Sequence, residues 1–67
     1  KTVVQAKCYS NPVGNKAVQE VIAAKTFYDA NKAMVITNNS FTNAAIELAK
    51  GTGVTLWNGE DLKRLYR

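Results

Sequence analysis

Gln5 and Lys7 stand two residues apart in the run Val3-Val4-Gln5-Ala6-Lys7, and side chains that alternate across a β-strand put them on one face of it. An amide oxygen beside an ammonium group suits magnesium-dependent hydrolysis of a phosphodiester. The oxygen is a donor for a hard cation, and the ammonium steadies both the attacking water and the charge that builds on phosphorus. The neighbouring valines and Ala6 are ordinary strand material, so the polar pair interrupts a segment that otherwise belongs in a core. Taken alone, such a pair reads more readily as the polar face of an edge strand with a lysine at its end.

The elements that must position this pair follow from periodicity and punctuation. The first strand is predicted over Thr2 to Cys8, and a loop over Tyr9 to Gly14 carries Pro12 and Gly14. Asn15 is the expected cap of a helix running from Lys16 to about Tyr28. Its Ala17, Val21, Ala24 and Tyr28 share one face, widened by Val18 and Ile22, while Lys16, Gln19 and Glu20 lie opposite. Lys25 falls within the apolar arc, with its methylenes expected on the core and its amine in water.

The second strand, Ala33 to Thr37, is almost wholly apolar, which predicts a central strand covered on both faces of a parallel sheet. Asn38, Asn39 and Ser40 turn the chain. Ser40 or Thr42 then caps a helix with Phe41, Ala45, Leu48 and Ala49 on its inner side, and three alanines let it approach the sheet. Gly51 is the expected left-handed stop, and Val54 to Trp57 the third strand. Asn58 caps a last helix with the stripe Leu62, Leu65 and Tyr66, acidic Glu60 and Asp61 at its start and Lys63, Arg64 and Arg67 at its end, an order that complements the helix dipole. Helices of this length between strands favour right-handed parallel crossovers. The predicted fold class is therefore α/β, a β-α-β-α-β-α layered sheet.

Three further motifs fail on context. Gly51-Thr52-Gly53 follows a helix and precedes a strand, the reverse of a dinucleotide fingerprint. Gly14-Asn15-Lys16 lacks the earlier glycine of a phosphate loop. Asn58-Gly59 precedes a charged helical pattern rather than a returning strand.

As a whole, the chain resembles the catalytic domain of the Mrr-like (type IV) restriction endonucleases, members of the PD-(D/E)xK nuclease fold. The resemblance runs through Val3-Val4-Gln5-Ala6-Lys7 and Val13-Gly14-Asn15-Lys16-Ala17-Val18-Gln19-Glu20, then Ala33-Met34-Val35-Ile36-Thr37 and Phe41-Thr42-Asn43-Ala44-Ala45. It closes with Leu48-Ala49-Lys50 and Gly53-Val54-Thr55-Leu56-Trp57-Asn58-Gly59. It implies that Gln5 and Lys7 occupy the second and third positions of the motif in its QxK variant. It further implies a Mg2+ cofactor, with Gln5 and the main-chain carbonyl of Ala6 as ligands. The motif's aspartate lies on an earlier strand, so the resemblance implies a single domain, 1–67, that is the C-terminal part of a restriction-endonuclease-like fold. The remaining carboxylate ligand is then expected to be absent from this chain and the isolated residues inactive.

DNA is the implied partner, and cutting two strands makes a homodimer an expectation. Lys16 and Gln19 on the polar helix face, and Ser40 and Thr42 at a helix start, are candidate DNA contacts. A solvated helix face and ordinary capping are the competing explanations.

Composition bounds these readings. Sixty-seven residues form at most one domain, and a chain of that size buries only about 60% of its unfolded surface. Nine Lys and Arg against five Asp and Glu suit a polyanionic partner, yet three of the nine, Lys63, Arg64 and Arg67, sit at the C-terminus, leaving six against five elsewhere. No apolar run approaches the roughly 20 residues that span a bilayer. With one cysteine, Cys8, and no histidine there is neither an internal disulfide, a zinc-ligand set nor a Cys-His nucleophile. A reducing, cytoplasmic setting is the simplest expectation.

Overall fold

A computed structural model describes residues 1–8 and 10–65 of the chain. The elements alternate as β1 (Thr2–Lys7), α1 (Asn15–Phe27), β2 (Lys32–Thr37), α2 (Asn43–Thr52), β3 (Thr55–Trp57) and α3 (Gly59–Leu65). The strands form one sheet in the order β1-β2-β3, parallel throughout. Successive crossovers of one hand in a sheet that keeps chain order place α1 and α2 on the same face, and these helices pack against each other as well as on the strands. This is the α/β layered architecture predicted from the sequence.

Between the helices and the sheet lies a small aliphatic core of Val13, Ala17, Val18, Val21, Ala33, Val35, Ala45, Ala49 and Val54. Val18, Val21 and Val35 are fully buried, each contributing on the order of 1.5–3 kcal/mol relative to exposure. Register carries that inner row across the sheet: Gln5 lies opposite Val35 and Lys7 opposite Thr37, while Val35 faces Leu56 on the other side. Gln5 and Lys7 thus belong to the helix-covered row of β1, together with Val3. The buried Thr37 hydroxyl accepts from the Asn39 N-H at 3.2 Å, which satisfies the polar group that ends β2.

Several local expectations change. Gly14, not Asn15, is the cap residue of α1 and makes no side-chain cap bond; Asn15 is already helical. Tyr28, expected on the inner face, is instead the exposed C-terminal cap residue. Of the alternatives for α2, Thr42 is the cap, its Oγ1 accepting from Ala45 N at 3.1 Å. Gly51 is helical, and the left-handed stop is Gly53 at φ 74°. The added turn is held by the Thr52 hydroxyl, which donates to the Leu48 carbonyl at 2.7 Å. Ala45 and Ala49 meet the core, whereas Ala44 is exposed.

β2 is central, but the helices cover only one of its faces. On the other, Met34, Ile36 and Trp57 are half-buried and Val4 is exposed. In α3, Asn58 caps as predicted through a reciprocal pair of bonds: Asn58 Oδ1 accepts from Asp61 N and Asp61 Oδ2 accepts from Asn58 N, both at 2.9 Å. Leu62 is half-buried and Leu65 exposed, and Tyr66, the last member of the expected stripe, lies outside the described residues.

Gly59 shows why α3 starts where it does. Its N-H donates to the Asn39 carbonyl at 2.8 Å, and a β-carbon there would stand 2.6 Å from the Asn38 carbonyl oxygen, a backbone atom with no rotamer to yield. Gly59→Ala should therefore cost about 2 kcal/mol and lower the melting midpoint by roughly 10 °C. Gly51→Ala, with open space around the added carbon, should be neutral or stabilise by up to about 1 kcal/mol. Thermal unfolding of both variants tests this contrast.

Candidate functional site

The carboxyl ends of strands in a parallel sheet are where crossovers leave a crevice. Gln5 and Lys7 are at that end of β1, on the face over which α1 folds back. Fifteen residues of chain separate Gln5 from Glu20, yet the crossover returns the second turn of α1 to the strand. The Lys7 ammonium lies 3.1 Å from Glu20 Oε1, and Gln5 Nε2 donates to the same oxygen at 3.4 Å. The Lys7 side chain is only 18% exposed, so its methylenes are packed in the strand-helix seam while its charge meets the carboxylate.

A hollow of about 160 Å³ adjoins this cluster, lined by Val13, Gly14, Lys16, Ala17 and Glu20. A wider cleft of about 530 Å³ opens at the ends of β2 and β3, between Asn38, Asn39, Ser40, Asn58, Gly59 and Lys63. The wider one is lined by the amides of Asn38, Asn39 and Asn58 together with Glu60, Leu62 and Lys63 of α3, whereas the smaller one holds Glu20 and Lys16 and adjoins Gln5 and Lys7. Of the two, only the smaller one adjoins Gln5 and Lys7, the pair to which the sequence pattern points.

The remaining sequence-derived residues divide. Lys16 reaches the hollow from the first turn of α1, while Gln19 is exposed on the same helix and makes no contact with the Gln5–Lys7 cluster among the described residues. The free N-H groups expected at Ser40 and Thr42 are already paired: Ser40 N donates to Asn39 Oδ1 at 2.8 Å and Thr42 N to the Val13 carbonyl at 3.0 Å. With the Thr42 hydroxyl spent on its cap, these residues stitch the loop after β1 to the loop after β2, an arrangement completed by the parallel bridge of Val13 with Phe41. The Ala6 side chain is exposed on the opposite face of β1.

Glu20 is the residue that sequence reasoning placed on the solvated face of α1. Its nearness to the pair depends on a crossover whose rotation no local pattern specifies. The remaining acidic groups are placed elsewhere: Glu47 and Glu60 pair with Lys50 and Lys63, Asp61 caps α3, and Asp29 follows α1 in a left-handed turn.

A family model described as Mrr_cat, restriction endonuclease, matches residues 1–66. The chain belongs to this restriction endonuclease family, a class of nucleases whose substrate is DNA. No curated protein and no solved structure matches it.

The donors suit a divalent cation of the kind such domains use. An amide oxygen, a carboxylate and a main-chain carbonyl are hard oxygen ligands, and the Lys7 ammonium already stands as a cation against Glu20. No group of three or more His, Cys, Asp or Glu occurs among the described residues.

The Lys7–Glu20 pair is partly open to solvent, so it contributes little to the fold. Glu20→Gln should change unfolding free energy by less than about 1 kcal/mol in urea titration, leaving a folded chain in which function is read separately.

Proposed function

We propose that this chain carries the catalytic motif of a magnesium-dependent DNA endonuclease of the Mrr-like restriction type, with Gln5 and Lys7 as its QxK pair. The observation that supports this most is that the two motif positions lie on one strand face, at the carboxyl end of β1, in a chain that matches the family over residues 1–66.

Each group has a task in phosphodiester hydrolysis. The Lys7 ammonium holds the attacking water and offsets the negative charge that gathers on the phosphate oxygens as water adds and the leaving oxygen departs. The Gln5 amide oxygen and the Ala6 main-chain carbonyl would hold the cation, and Gln5 is positioned through the bond from its Nε2 to Glu20. Bound there, magnesium supplies charge neutralisation at phosphorus and a more acidic water. Lys16, which lines the adjoining hollow, and the exposed Gln19 are the proposed contacts to the phosphate backbone. Cleavage of both strands takes two such sites, which a homodimer supplies.

A second reading, a chain that binds DNA without cutting it, is favoured by the single carboxylate found at the pair. Nicking of supercoiled plasmid separates the two when it is measured for the chain and for a form extended upstream to include the aspartate of the family pattern. The nuclease reading predicts magnesium-dependent nicking that falls about 100-fold or more in Lys7→Ala. Nicking undiminished by Lys7→Ala, or none from either form with magnesium or manganese, overturns it.

A further inference from the structure

The Lys7–Glu20 contact has the outward form of a surface ion pair, but its surroundings give it another use. Two donors from β1 converge on one oxygen of Glu20, Lys7 at 3.1 Å and Gln5 at 3.4 Å. Its second oxygen has no hydrogen-bond partner among the described residues, and the hollow of about 160 Å³ is lined by the same side chain. The amide group that contacts Glu20 belongs to the residue proposed as a cation ligand. One neutral amide is a weak anchor for a doubly charged ion, and a carboxylate within reach changes that balance.

We infer that Glu20, reaching in from α1, is the anionic ligand of a divalent cation held at the Gln5–Lys7 pair. This rests on the nuclease reading for its purpose. The Lys7 ammonium stands in the carboxylate's field, 3.1 Å from its oxygen. A divalent cation held there would compete with the Lys7 ammonium for Glu20. Removal of Lys7 should therefore favour the cation, because a positive charge beside the site opposes it.

Manganese binding to the chain without DNA, followed by electron paramagnetic resonance of the free ion, tests this independently of turnover. Glu20→Gln keeps the shape and hydrogen-bonding reach of the side chain and removes its charge. It should raise the dissociation constant by about 10–100-fold, while Lys7→Ala should bind manganese at least as tightly as the parent. Glu20→Asp, which keeps the charge on a shorter arm, should fall between Glu20→Gln and the parent. Circular dichroism of the Glu20 variants establishes that they remain folded.

No saturable manganese binding by the parent, or a Glu20→Gln constant within about twofold of it, overturns the assignment. If that occurs while Lys7→Ala abolishes plasmid nicking, the nuclease reading stands and Glu20 is only a structural partner. A large Glu20→Gln effect with nicking undiminished by Lys7→Ala supports the cation site and removes the nuclease reading.

Discussion

The parallel pairing of β1 with β2 constrains everything else in this small molecule. By setting Gln5 opposite Val35 and Lys7 opposite Thr37, it aligns a polar row on an edge strand with the most deeply buried row of the sheet. α1 must cover that row, because Val18 and Val21 have nowhere else to be buried. The helix that shields Val35 therefore necessarily crosses the end of β1, and its second turn delivers Glu20 to Lys7. Core packing and the polar cluster are two results of one crossover.

The same economy appears at the carboxyl edge of the sheet. The loops after β1 and β2 are joined through Val13, whose N-H and carbonyl bond Ser40 and Thr42, and α3 is fastened to the second loop through Gly59 and Asn39. These backbone bonds fix Val13 where the chain enters α1. A site built from a strand end and a helix turn is held more closely than one built on loops, and here the intervening loop is itself tied down where it enters α1.

Much of this was legible in the sequence. The alternation of three strands and three helices, the central place of the Ala33–Thr37 run and the capping by Thr42 and Asn58 follow from periodicity and from side chains that bond their own backbone. The errors have physical causes. Gly51 resembles a helix stop, but the Thr52 hydroxyl carries the helix on to Gly53, the residue that takes up positive φ. The apolar character of β2 suggested cover on both faces, whereas Met34 and Ile36 are only half-buried on the side away from α1 and α2. Ser40 and Thr42 have the hydroxyls of an anion site, yet their N-H groups are consumed by loop-to-loop bonds that the sequence does not advertise. That Gln5 and Lys7 share one strand face was visible from their spacing. The approach of Glu20 to them was not, since it depends on tertiary placement of a helix face that looks merely solvated.

The central claim is that β1 and α1 together form one cation site, with Gln5, Lys7 and Glu20 at its heart. Anomalous diffraction from crystals of the chain soaked in manganese tests it most directly. A peak is expected in contact with both Gln5 and the Glu20 carboxylate, with the Lys7 ammonium displaced from Glu20. A peak elsewhere, or none with the Lys7–Glu20 pair intact, would contradict it.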